Sequence, residues 1–168
     1  IFIDSKENIF FDKKNSARAA AVLGFSIFAT KKYFLLDHNF NINLAELDKI
    51  FLNYKNKKII FFGFTYIIWE KLIKALKSKK YKFKNATLLH GGGWKKMMVQ
   101  NISEKKFEFE IKNKLSINNI INYYGMIEQT GSIFFQCKYK FYHTSIFSDI
   151  FIRNYNFELL ENNKIGLI

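Results

Sequence analysis

Residues 58–93 read KIIFFGFTYIIWEKLIKALKSKKYKFKNATLLHGGG. Lys58 to Phe64 is a continuous apolar run with the β-branched and aromatic content of a strand buried on both sides. Thr65 opens a helix whose Ile68, Leu72, Ile73 and Leu76 fall on one stripe, and the lysines of its last turns suit the negative end of the helix dipole. A second strand, ATLLH, runs straight into three consecutive glycines. Strand, helix and strand at this spacing form a crossover unit, which predicts an α/β fold with a largely parallel sheet and flanking helices.

On the N-terminal side of this unit, Ile1 to Ile3 reads as a strand and DSKENIFFDKKN as a polar loop or hairpin. Ser16 caps a helix, SARAAAVLGFSIF, with Ala19, Val22, Leu23 and Ser26 turned inward. KYFLL is strand-like, and Asn43 caps NLAELDKIFLNY, where Leu44, Leu47, Ile50 and Phe51 share one helical face. On the C-terminal side Ser103 caps EKKFEFEIKNKL, and Ile120 to Tyr124 forms a strand ending at Gly125. From Ser132 onward SIFFQCKYKFYH, DIFIRNY, NFELL and KIGLI are short strands with a hairpin-turn signal at Glu161 to Lys164, so this region is expected to be antiparallel. Residues 1–131 form the central α/β part and 132–168 the antiparallel β portion. IFI at the start and KIGLI at the end both read as interrupted strands, the mark of an internal fragment.

The chain has 168 residues, 49% of them apolar and 18% aromatic, ample material for a core. No apolar run reaches the roughly 18–20 residues of a membrane span, and no signal peptide is present, so a cytoplasmic location is expected. The single cysteine, Cys137, rules out an internal disulfide. A net charge of +13 invites a nucleic-acid or anionic-lipid reading. Yet only Arg18 and Arg153 are arginine among 27 basic residues, so the fork that reads phosphates and guanines is nearly missing. Solvated surface lysine accounts for the charge better than a specific nucleic-acid face.

Ligands of open α/β sheets bind just past the carboxyl ends of strands. Two such ends stand out, His90-Gly91-Gly92-Gly93-Trp94 and Tyr124-Gly125-Met126-Ile127-Glu128. Missing side chains at Gly91, Gly92 and Gly93 would let a planar ring lie against bare backbone; the competing reading is a flexible turn. His90 is either a gate or base for such a pocket or a hydrogen-bonded strand-end histidine. Trp69 and Trp94 read as packing residues, with Trp94 also placed to wall a channel. Cys137 and His143 make a poor zinc pair, and Cys137 reads as a buried structural thiol.

YYGMIEQTG resembles the Tyr-Gly-x-Thr-Glu core motif of the adenylate-forming superfamily, and HGGGWKK falls where that superfamily places its adenine-facing glycines. FFGFTYIIW, LLHGGGWKK, YYGMIEQTGSIFFQC and HTSIFSDIFIRN, in this order, resemble the acyl-protein synthetase family of fatty-acid-activating ligases. The resemblance spans most of the chain; phenylacetate-CoA ligases share a looser version. It implies part of the large N-terminal domain of an adenylate-forming enzyme that uses ATP and Mg²⁺. A fatty carboxylate attacks the α-phosphate, pyrophosphate leaves, and the acyl group passes to a protein thiol or, through it, to a reductase partner. It further implies that Tyr124 stacks on adenine, Gly91 to Gly93 line the opposite edge, Gly125 admits substrate close to the backbone, and Glu128 is the catalytic, Mg²⁺-holding carboxylate.

Ile127 stands where the superfamily commonly has threonine, so that phosphate contact is either lost or supplied by Thr130. The family's Ser/Thr/Gly-rich phosphate loop, ribose-binding aspartate, mobile C-terminal domain with its lysine, and acyl-accepting cysteine are not in this sequence. The isolated chain is therefore expected not to turn over. The alternatives are a CoA ligase of the phenylacetate type, a basic binding module for nucleic acid or anionic lipid, and a non-functional remnant of a truncated gene.

Overall fold

The computed structural model describes residues 1–11, 16–125, 132–161 and 163–168, and the chain divides into two units, 1–123 and 124–168. In the first unit β1 (Phe2–Ser5), β2 (Phe34–Leu36), β3 (Ile59–Phe64), β4 (Ala86–Gly91) and β5 (Asn119–Gly125) lie in the order β2-β1-β3-β4-β5, every neighbouring pair parallel. The last two residues of β5 belong to the second unit. The fold class is α/β, as the crossover unit predicts. The order reverses direction between β1 and β3, the arrangement of a doubly wound sheet.

Helices connect the strands. α1 (Lys6–Phe10) occupies part of the stretch expected to be a loop, because the Ser5 hydroxyl accepts the Asn8 N–H at 3.3 Å and starts a helix directly off β1. α2 (Ala17–Ser26) is capped by Ser16, α3 (Leu44–Tyr54) by Asn43 and α7 (Glu104–Leu115) by Ser103. The helix expected from Thr65 begins as α4 (Thr65–Ile67), widens into a π-helical stretch (Ile68–Ile73) and closes as α5 (Lys74–Leu76). α6 (Lys95–Met98) is a single turn after the glycines that apolar spacing alone does not reveal.

Strand alternation sorts the side chains onto two faces. Ile3, Leu35, Phe61 and Leu88 join Leu47 and Ile50 of α3, Ile68, Leu72 and Leu76 of the β3–β4 connection, and Phe107, Ile111 and Leu115 of α7 in one buried cluster. Their neighbours Phe2, Phe34 and Phe62 face the other way and form an aromatic ladder. Phe2 stacks on Phe34 with ring centroids 5.0 Å apart and meets Phe62 edge-on at 5.7 Å, and Phe25 of α2 covers Phe62 at 4.6 Å. Two inward assignments change: Leu23 is 39% exposed because α2 turns Val22, Phe25 and Ser26 to the sheet, and Ile60 of the supposedly two-sided β3 is 57% exposed.

In the second unit β6 (Ile133–Gln136) and β7 (Tyr142–His143) pair antiparallel, with Phe135 opposite His143 and Gln136 opposite Tyr142. The three further strands expected here shrink to isolated bridges around Arg153, which pairs with Leu159 and Leu167. Arg153 and Leu167 exchange both backbone bonds at 2.9 and 2.7 Å, but the ladder does not extend far enough on either side to become a strand.

Asp4, at the end of β1, is a buried carboxylate. One oxygen accepts the Ser5 N–H at 2.7 Å and the Arg18 guanidinium at 2.9 Å, while the other has no partner among the described residues. Burial pushes its carboxyl up, outweighing the downward pull of the Ser5 amide and of Arg18. With a folded value above the unfolded one of about 3.9, the unfolded state binds fewer protons between the two. This group's stabilising contribution is therefore complete below the unfolded value and lost as pH rises through the folded one. Asp4→Asn is expected to flatten that part of a denaturant-midpoint profile taken from pH 3.5 upward; an unchanged slope would place the effect elsewhere.

Candidate functional site

Among the described residues the buried polar and charged ones are Asp4, Ser5, Ser26, Thr65, His90 and Asn122. All but Ser26 belong to the carboxyl-terminal halves of parallel strands or the residue that follows: Asp4 and Ser5 close β1, Thr65 follows β3, His90 precedes the last residue of β4, and Asn122 lies opposite His90 on β5. Desolvating polar groups costs energy unless they are hydrogen-bonded, so their concentration at one edge of an otherwise apolar sheet marks where the chain does something other than pack.

The three glycines at that edge have three different physical reasons. Gly91 ends β4 opposite Tyr123 of β5, and a Cβ there would stand 2.6 Å from the Tyr123 ring. The ring lies across the bare backbone of β4 and stacks on Phe62 of β3, centroids 5.7 Å apart and planes 21° from parallel. Two strands of separation is ~10 Å, so this contact requires the intervening strand to offer no side chain. Gly92 has φ +96°, a conformation costly for any residue with a Cβ, and Phe64 would lie 2.9 Å from that atom. Only Gly93 faces open space, with nothing within 4 Å of a Cβ position.

Thr65 and His90 hold this segment from below. The Thr65 hydroxyl lies 3.0 Å from the Gly91 carbonyl oxygen and 2.9 Å from His90 Nδ1. A carbonyl only accepts, so the single hydroxyl proton goes to Gly91 and His90 Nδ1–H donates to Thr65. Phe107 lies 4.9 Å from the His90 ring and Trp94 meets it edge-on at 6.3 Å, so the imidazole is wedged between α7 and the residue after the glycines. Of the two readings of His90, this is the hydrogen-bonded strand-end histidine. Thr65 was legible only as a helix start; a hydroxyl immediately after a buried strand is the signal that identifies its second role.

Tyr123 is buried, which holds its hydroxyl up at about 12, so it is no base at neutral pH. Tyr124, the next residue, is 50% exposed and within the second unit has Phe134 at 6.1 Å and Tyr142 at 6.3 Å. Gly125 is exposed, and a Cβ there would make only ordinary contact with the Ser132 carbonyl at 3.7 Å. Glu128 and Thr130, like Ile127, lie outside the described residues. Among the described residues no three His, Cys, Asp or Glu side chains gather as a metal site, and no helix is long and apolar enough to cross a membrane.

Cys137, just after β6, is partly buried rather than fully buried as expected. The hairpin register puts it on the face of His143, its N–H donates to the Phe141 carbonyl at 2.8 Å, and the Lys140 N–H donates to its carbonyl at 2.9 Å. A hydrogen bond from His143, with backbone N–H groups of Tyr139 and Phe141, stabilises the thiolate and holds the thiol at about 7, below the ordinary range. Iodoacetamide alkylation is expected to rise with pH to a half-point near pH 7, and His143→Ala to move it toward the ordinary value of about 8.5. A wild-type half-point already at the ordinary value would remove the pairing.

The glycines separate in a second measurement. Gly91→Ala forces Tyr123 off β4 and is expected to cost about 1–3 kcal/mol, the usual penalty of overpacking. Gly93→Ala is expected to stay within about 0.5 kcal/mol, as at an unconstrained surface position. Equal shifts in denaturant midpoint would refute the distinction.

No curated protein and no solved structure matches the chain. The family described as "Acyl-protein synthetase, LuxE" matches residues 4–168, a span that holds the end of β1, β2 to β7, the glycine segment and the Thr65–His90 pair. With nearly the whole length matched, the chain belongs to the acyl-protein synthetase family.

Proposed function

We propose that this chain carries the nucleotide-facing part of an ATP-dependent long-chain fatty acid ligase. In that reaction a fatty carboxylate oxygen attacks the α-phosphate and pyrophosphate departs. The acyl carbon is then taken by a protein thiol, with AMP as leaving group. The observation that carries the reading is the line of buried polar groups at the carboxyl edge of the parallel strands, ending in a glycine segment of which Gly93 is open. Ligand sites of such sheets lie at that edge.

Within this reading Tyr124 supplies the stacking face, since half of it is exposed. Gly92 and Gly93 supply backbone hydrogen-bonding groups at short range. Glu128 supplies a hard carboxylate for Mg²⁺, which neutralises phosphate charge when bound, and Thr130 supplies a hydroxyl for phosphate oxygen. The chain's own contribution is positioning and charge stabilisation, which is most of what phosphoryl chemistry asks of a protein. The basic surface is a weaker guide: Lys74 pairs with Glu70 at 2.7 Å and Lys79 with Asp48 at 3.1 Å, and Lys96 lies over the Tyr66 ring.

The test is calorimetric titration of the folded chain with a non-hydrolysable long-chain acyl-adenylate analogue. Saturable binding is expected. Tyr124→Ala is expected to weaken it about 5- to 150-fold, the range of a base-stacking contact worth ~1–3 kcal/mol. Glu128→Ala is expected to abolish the dependence of binding on Mg²⁺. A folded chain that takes up no analogue, or binding indifferent to both substitutions, would refute the assignment.

A further inference from the structure

The fold gathers lysines at the sheet edge opposite the glycine segment. Ile59 begins β3, Ala86 begins β4, and the two are paired in register. The segments leading into these strands therefore meet at the amino-terminal edge, where the Asn85 side chain donates to the Asn56 carbonyl at 3.2 Å. Residues 55–58 read KNKK and residues 77–84 read KSKKYKFK, three and five lysines with no carboxylate among them. Tyr81 and Phe83 of the second segment are buried, and their N–H groups donate to the Lys114 and Leu115 carbonyls of α7 at 2.7 and 3.0 Å. Lys80, Lys82 and Lys84, which alternate with these rings, are exposed. The core anchors the rings, and the alternation turns the lysines to solvent.

Carboxylates neutralise only part of this edge. Asp48 takes Lys79 at 3.1 Å, and Glu108 and Glu110 of α7 take Lys112 and Lys114 at 3.5 and 3.8 Å. Lys57, Lys58, Lys77, Lys82 and Lys84 are exposed and form no ion pair with a described residue. Unpaired cations held this close reinforce one another's field and favour an anionic counterpart.

Residue type narrows the counterpart. Lysine is a flexible point charge, suited to a diffuse field of headgroups, whereas forked recognition of single phosphates uses arginine. The only rings in the two segments, Tyr81 and Phe83, are buried, so none is offered to nucleic-acid bases. Two apolar side chains are exposed beside the cluster instead: Leu52 at 71%, three residues before Lys55, and Ile60 at 57%, two residues after Lys58. Cations with apolar side chains beside them match an anionic bilayer, which offers negative headgroups over hydrocarbon.

We propose that the amino-terminal edge of the sheet is a docking surface for an anionic lipid bilayer, with the lysines of 55–58 and 77–84 at the headgroups and Leu52 and Ile60 set among them. Strands of this length span about 20 Å, so the carboxyl-terminal edge with its glycine segment stays clear of the lipid. The proposal does not rest on the nucleotide reading.

The test is sedimentation of the chain with vesicles of phosphatidylcholine and phosphatidylglycerol in equal parts, against phosphatidylcholine alone. Binding to the mixed vesicles only is expected, and its loss in about 1 M salt, where the Debye length is about 3 Å. Replacing Lys57, Lys58, Lys82 and Lys84 together by glutamate is expected to weaken binding a few hundredfold, about fivefold for each lysine. The same charge change at Lys95, Lys96, Lys105 and Lys106, exposed residues of α6 and the first turn of α7, is expected to leave it within about threefold, since charges beyond a Debye length of about 10 Å are screened. Wild-type protein that ignores the mixed vesicles, or binds neutral ones equally, overturns the proposal whether or not the variants fold. Equal loss in the two variants also overturns it, by assigning the binding to net charge rather than to this edge. Binding to polyglutamate or to DNA without binding to vesicles overturns the bilayer as partner in favour of an acidic macromolecule.

Discussion

The sheet's second face depends on one contact, the Tyr123 ring lying across Gly91. Aromatic residues on β2, β1 and β3 form a ladder on that face, but β5 is separated from β3 by a whole strand. Tyr123 closes the gap because the strand between them ends in a residue without a side chain. The ring that fills the space also stacks on Phe62 and touches Phe25 of α2, centroids 5.3 Å apart, so three elements converge on it. A glycine that looks like an accommodation for a ligand is here an accommodation for the protein's own side chain.

That assignment sharpens what remains for chemistry. Gly91 is committed to packing and Gly92 to a turn that no other residue makes cheaply, which leaves Gly93 as the open position. Beneath them the Thr65 hydroxyl, itself bonded to the His90 imidazole, holds the Gly91 carbonyl. In the function proposed above, the same edge of the sheet is where the nucleotide would be positioned. The packing of Tyr123, the turn at Gly92 and the polar contacts at Thr65 are thus parts of one construction.

Much of the fold was legible from local patterns. The helix starts at Ser16, Asn43 and Ser103 were readable because a capping side chain bonds an amide three residues on, a contact that needs nothing beyond its own turn. The crossover from β3 to β4 was readable because apolar period and length change together at Thr65. The loop expected after β1 was misjudged because Ser5 serves as strand end and helix cap at once. The strands expected after Ser132 were misjudged because alternation shows that a segment is able to pair but not that a partner extends beside it.

The sequence by itself determined the class of fold, the central strand–helix–strand order and the family, and it pointed to two short stretches as candidates for chemistry, since periodicity, caps and motif order are local properties of the chain. Only the tertiary structure decided which glycine serves which purpose, that Thr65 links His90 to the Gly91 carbonyl, and that Cys137 is partly rather than fully buried beside His143. The physical reason is the same in each case. The glycine and Thr65–His90 contacts join residues far apart along the chain, brought together by register between strands separated by a helix, and the Cys137–His143 contact is set by the register of one hairpin; no local pattern encodes either register.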